Sequence, residues 1–178
     1  MDLMNLLNEK VFLGQEFLTW LWHLCETEPA LTLPDGRQVE LMLGDRLLLG
    51  PAMGQEGTRV TVSGREASLA EARQALKRGK LVEALRLGIM IDGEEYTLSL
   101  NAAELAVSGL KTPATAPAEG GPEGMEGLVL ERVALIEAAV RGLEGLFDLF
   151  LRGRLADEAG GELWARMKAW AQAGAAEA

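Results

Sequence analysis

The chain offers one cysteine, Cys25, and one histidine, His23, in 178 residues. A lone cysteine excludes an internal disulfide and any zinc site built from several thiolates. Spaced two apart, His23 and Cys25 point away from each other on a helix, so no metal is expected and Cys25 reads as a buried structural residue. Aromatics are scarce at 5%, which leaves a core of Leu, Val, Ile and Ala. No apolar run approaches the roughly 18 residues of a membrane span, and no membrane partner is expected. The opening stretch, MDLMNLLNEK, carries Asp2 and no basic n-region, so it does not read as a secretory signal and a cytoplasmic location is expected.

Catalytic signatures are missing too. There is no Gly-x-Ser-x-Gly, no P-loop and no Gly-x-Gly-x-x-Gly between a strand and a helix. Glu94 and Glu95 sit beside a hairpin turn and read as solvated. Glu16 and Glu26 flank an aromatic helix with no partner acid in view. The expectation is a protein that is not an enzyme, with no cofactor and no small-molecule substrate.

Positive charge is in short supply. Seventeen Lys and Arg face 27 Asp and Glu, for a net charge of -10 and a sequence pI near 4.7. Such a balance excludes coating DNA with the whole surface, though not a single basic groove. Hydrophobic residues make up 48%, enough for a sizeable core.

Leu3, Leu6 and Leu7 suggest a short helical turn before Gly14, with the main helix starting at Gln15. There Phe17, Trp20, Leu21 and Leu24 recur on one helical face, widened by Trp22 and Cys25. Core anchoring is the reading of this aromatic stripe. Pro29 ends the helix. Leu31–Leu33, a turn at Pro34-Asp35-Gly36-Arg37, and Gln38–Leu43 read as a hairpin. Gly44-Asp45 reads as another turn, followed by Arg46–Leu49, a loop over 50–57, and an alternating strand over Thr58–Ser63.

Ser68-Leu69-Ala70-Glu71 reads as a capping box opening a helix with Leu69, Ala72 and Leu76 on its buried stripe. Gly79 supplies the left-handed stop. Asp92-Gly93 makes a two-residue turn. It pairs Ile91 with Glu94 and therefore Ile89 with Tyr96, Leu87 with Leu98, and Leu85 with Leu100. Arg86, Gly88 and Met90 fall on the other face, opposite Ser99, Thr97 and Glu95. Leu105–Leu110 reads as an edge strand.

Arg73, Lys77, Arg78, Lys80 and Arg86 crowd into this stretch. Lys77 and Arg78 suit the negative end of the helix dipole, and Arg73 suits an exposed face near Glu71. Lys80 and Arg86 have no such local reason and are expected on the polar side of the hairpin. The cluster reads either as solvated charge or as a set of phosphate contacts.

Lys111 to Gly127 holds three prolines and four glycines and reads as a linker. Beyond it Val129, Val133, Ile136, Val140, Leu143, Phe147 and Phe150 are spaced 4-3-4-3-4-3, a heptad seam. That seam would dock on its own body or on a second subunit. Gly160-Gly161 breaks it, and Leu163, Trp164, Met167 and Trp170 mark a final helix. The whole reads as an α+β fold, an antiparallel meander sheet with an N-terminal aromatic helix and one inserted helix. The body spans 1–111, the linker 112–127 and the helical C-terminal tail 128–178.

The order of these elements resembles the C-terminal portion of the recombination-associated RdgC family. The residues that carry the likeness are Phe17 to Trp22, Gly44-Asp45-Arg46-Leu47, the capped helix, Gly79-Lys80-Leu81-Val82, Leu85-Arg86-Leu87 and the hairpin to Leu100. It covers Phe12 to Lys111. Where the family can carry a basic run before the capped helix, this chain has Ser63-Gly64-Arg65-Glu66, with Arg65 its basic residue. The resemblance implies a homodimer that binds double-stranded DNA without sequence preference, is associated with the nucleoid, and restrains recombination without catalysis. It makes Lys80 and Arg86, with Lys77, Arg78, Arg73 and Arg65, the DNA-facing candidates. The residues also allow a protein-interaction module with no nucleic-acid role, which self-assembles through Val133, Ile136, Val140, Leu143, Phe147 and Phe150.

Overall fold

The computed structural model describes residues 3–52, 55–64, 67–115, 121–156 and 161–173. Side chains of residues 3–12, 67, 68, 122, 123 and 161 are outside the description, as is Arg65, and the capping box expected at Ser68 therefore lies outside the described side chains.

One helix, α1 (Leu3–Thr27), runs through Gly14 without a break, where two segments were expected. The glycine marks a close approach, not a helix boundary. A Cβ at Gly14 would lie 2.1 Å from the Ala102 carbonyl oxygen, so only a bare backbone fits against the chain there. After α1 come β1 (Ala30–Thr32), β2 (Gln38–Pro51), β3 (Val60–Ser63), α2 (Ala67–Lys77), β4 (Lys80–Ile91), β5 (Glu94–Asn101) and β6 (Ala106–Lys111). The strands form one antiparallel sheet in the order β1-β2-β4-β5-β6, and β3 shares the β1 edge of β2.

The β4–β5 hairpin has the register read from its turn: Ile89 faces Tyr96, Leu87 faces Leu98, and Leu85 faces Leu100. Asp92 and Gly93 both have positive φ, 50° and 89°, as a type I′ turn requires. The β6 edge strand also lies where it was expected.

Two irregularities depart from the expected meander. Gly44-Asp45 is not a turn. β2 continues through it as one 14-residue strand, and the register against β4 slips between Leu43 and Leu47. The extra β2 residues form a bulge opposite Arg86, so the chain bends without reversing. The second bulge is on β4. Leu48 pairs with Ala84 and Leu49 with Val82, which leaves Glu83 without a β2 partner. A one-residue bulge inverts the alternation of everything before it.

Leu41, Leu47, Leu49, Leu87, Ile89 and Leu98 fill one sheet face and pack with Leu18, Leu21 and Trp22 of α1. The opposite face carries Glu40, Met42, Arg86, Met90 and Glu95 and is open, with Met42 40% exposed.

The tail begins earlier than expected. Helix α3 spans Pro122–Leu155 and takes in residues assigned to the linker. Proline is favoured in the first turn, where its missing N–H leaves no helical bond unmade. The lower half of α3 docks on its own body. Phe147 meets Phe17 edge-on at 5.0 Å, and Phe150 lies 5.5 Å from Phe17 and 5.6 Å from Trp20. Arg154 Nε donates to the buried Glu16 carboxylate at 3.0 Å, and Arg37 donates to the Ala138 carbonyl at 3.3 Å. The expected seam is therefore split. Leu143, Phe147 and Phe150 are packed in cis, while Val133, Ile136 and Val140 remain 45–46% exposed. The last helix, α4 (Gly161–Ala173), buries Leu163 and Met167 against the same core. No described helix is long and apolar enough to cross a membrane.

Candidate anion-binding cleft

The five clustered cations do not share one surface. Arg73, on α2, turns inward and places Nη2 2.5 Å from Glu26 Oε2. The same carboxylate accepts from Trp22 Nε1 at 2.8 Å and from Trp170 Nε1 at 2.9 Å. Arg73 is thus part of a structural node joining α1, α2 and α4. Arg86 stays on the open sheet face, with Nη1 3.6 Å from Asp45 Oδ1 across the β2 bulge.

Lys80 is expected beside Arg86 and is not there. The Glu83 bulge inverts the strand between them, so Lys80 shares the side of Val82, which faces α1. Val82 N donates to Thr19 Oγ1 of α1 at 3.1 Å, and the Lys80 ammonium donates to the Thr58 carbonyl.

Lys77 and Arg78 are exposed at the end of α2. Arg78 N still closes the last turn, 3.1 Å from the Ala75 carbonyl, and Gly79 stops the helix at a φ of 82°. Neither side chain makes an ion pair among the described residues. The structure adds a cation that sequence reasoning missed, Lys168 of α4, whose Nζ lies 6.0 Å from the centre of the Trp164 ring. The only sequence signal was the i,i+4 spacing of Trp164 and Lys168 on a short helix.

Lys77, Lys80 and Lys168 converge on a cleft of about 620 Å³ between the end of α2, the start of β4 and α4. Its walls are Leu76, Leu81, Trp164 and Met167, and no carboxylate lines it among the described residues.

The two soft ligands carry no site. Burial, reinforced by Glu26, pushes the Cys25 thiol up to about 12, so it stays protonated and unreactive. Burial also lowers the pKa of His23, helped by nearby Arg166, and its ring stands edge-on to Trp170 at 5.2 Å. Among the described residues no group of His, Cys, Asp and Glu could hold a metal.

Comparison with protein-family models, with curated proteins and with solved structures gives no match to this chain.

Proposed function

We propose that this protein is a non-enzymatic, RdgC-like DNA-associated protein that grips phosphates without reading sequence. The observation that carries the reading is the gathering of Lys77, Lys80 and Lys168 around one cleft, with Arg78 beside Lys77 in sequence, in a chain whose net charge is -10. None of the four has a carboxylate partner among the described residues. Unpaired cations concentrated at one site, with acidic surface elsewhere, orient a polyanion toward that site and repel it from the rest. Arg86 and Arg73 leave the set of phosphate contacts, because each already faces a carboxylate. The protein would act at the nucleoid.

Affinity for a random-sequence duplex is expected to fall with salt, with a log–log slope of about -0.9 for each phosphate engaged. Three to four contacts give a slope of about -3. The Lys77→Glu/Arg78→Glu variant is expected to bind more weakly and to flatten that slope by about two units. A duplex that fails to bind even at low salt would rule the reading out.

A second reading has its own observation. Val129, Val133, Ile136 and Val140 keep the a/d spacing along the upper half of α3 and are 45–57% exposed. A second copy of the same helix suits this face. Arg132 and Glu137 flank the seam five residues apart, the offset at which opposite charges meet across a parallel pair. Sedimentation at tens of micromolar is expected to give a dimer for the wild type and a monomer for Val133→Glu/Val140→Glu. A monomeric wild type would remove self-association through this helix.

A further inference from the structure

Lys77, Lys80 and Lys168 line a cleft whose other walls are mostly apolar, and phosphate binding has no use for that hydrocarbon. At about 620 Å³ the cleft lies within the roughly 300–1,000 Å³ typical of small-molecule sites.

Its polar inventory is short. The Thr19 hydroxyl at its floor donates to the Gln15 carbonyl at 2.7 Å and accepts from Val82 N at 3.1 Å. Its one proton is therefore committed and one lone pair taken. Gln172 is exposed at the edge. A nucleobase or sugar placed inside would bury donors and acceptors with almost nothing to meet them, which disfavours it strongly. Hydrocarbon carries no such cost against Leu76, Leu81, Trp164 and Met167.

The charged part of the lining imposes the opposite requirement. Lys77, Lys80 and Lys168 come from three different elements, and among the described residues no carboxylate lines the cleft with them. Lys80 spends one donor on the Thr58 carbonyl, while Lys77 and Lys168 make no ion pair among the described residues. Three lysines in the lining of a pocket that is otherwise uncharged among the described residues favour one anionic head, as charge-assisted hydrogen bonds do elsewhere. We propose that this cleft binds an aliphatic chain ending in a carboxylate, a fatty acid, with the chain between α2 and α4 and the head among the three lysines. The inference goes beyond DNA association and does not depend on it, because it is tested with no nucleic acid present.

The experiment is calorimetric titration of the full chain with decanoate below its micellar range, beside acetate as a head without a tail and decanol as a tail without a head. Saturable one-to-one binding of decanoate is expected, at least tenfold tighter than either partial ligand. Lys77→Glu/Lys168→Glu is expected to weaken decanoate at least tenfold. Both side chains are exposed and unpaired by carboxylates, so the fold is retained. Ala171→Trp, which fills the cleft from α4, is expected to abolish binding, with circular dichroism confirming that the protein is folded. The proposal is overturned if decanoate fails to saturate or binds at many sites. It is also overturned if acetate or decanol equals decanoate, or if the lysine reversal leaves affinity unchanged. Conversion of a wild-type dimer to a monomer by decanoate would overturn it as well, since the cleft would then hold a second copy.

Discussion

Replacing Glu26 with alanine is expected to cost about 3 kcal/mol of stability, although the residue is on no catalytic or binding surface. The carboxylate takes three donors from three helices: Trp22 at 2.8 Å, Arg73 at 2.5 Å and Trp170 at 2.9 Å. Trp22 is 0% exposed, so its indole N–H has no water to turn to when the acceptor is removed. A buried donor left unmet costs about 1–3 kcal/mol, and Arg73 loses its counter-charge at the same time. The carboxylate also holds Trp170, an indole of α4 that stacks edge-on against Trp22 of α1, so its loss weakens the docking of that helix. Urea unfolding is the measurement, and the midpoint is expected to drop with the slope unchanged. Glu26→Gln is expected to cost less, since the amide keeps one acceptor while turning an N–H₂ toward donors. A loss below about 1 kcal/mol for the alanine variant would mean that solvent reaches these donors freely.

Phe150→Ala is expected to cost about 3–5 kcal/mol, the range for deleting a fully buried aromatic. Phe150 is 1% exposed and closes a four-ring cluster with Phe17, Trp20 and Phe147. The neighbouring rings are themselves held on two packed helices, which limits how far they can close the space. The informative comparison is Val133→Ala, from the same helix and the same heptad seam. That side chain is 46% exposed, and its loss is expected to change stability by no more than about 0.5 kcal/mol. Similar costs at the two positions would contradict a seam divided between a docked lower half and a free upper half.

That division shows where reading the chain alone succeeds and where it stops. The hairpin register was legible because a two-residue turn and strict alternation are local, and both are written within seventeen residues from Leu85 to Asn101. The heptad spacing of α3 was legible for the same reason. Which half is covered was not, because that depends on how far α1 extends beside it. Gly44-Asp45 has the composition of a turn and is a bulge. Only the β4 strand across from it distinguishes the two, and pairing is not visible in one segment. The bulge at Glu83 is less visible still, since nothing about the residue marks it. The Glu26 node is beyond any local pattern, with partners at positions 22, 73 and 170. Lys168 joined the cleft only once the final helix had folded back over α2.

The unpaired residue at Glu83 has a consequence for how such a chain could change over generations. One extra residue separates the strand from Lys80 to Val82 from the alternation of Arg86. A single-codon deletion at that point restores plain alternation. Val82 keeps its place opposite Leu49 and Lys80 its place opposite Pro51, so the basic group stays on the cleft side and only the local bend is lost. In a fold of this kind, the extra residue of a bulge can be gained or lost while the charge stays on the same surface, because the pairing on both sides of it is unchanged.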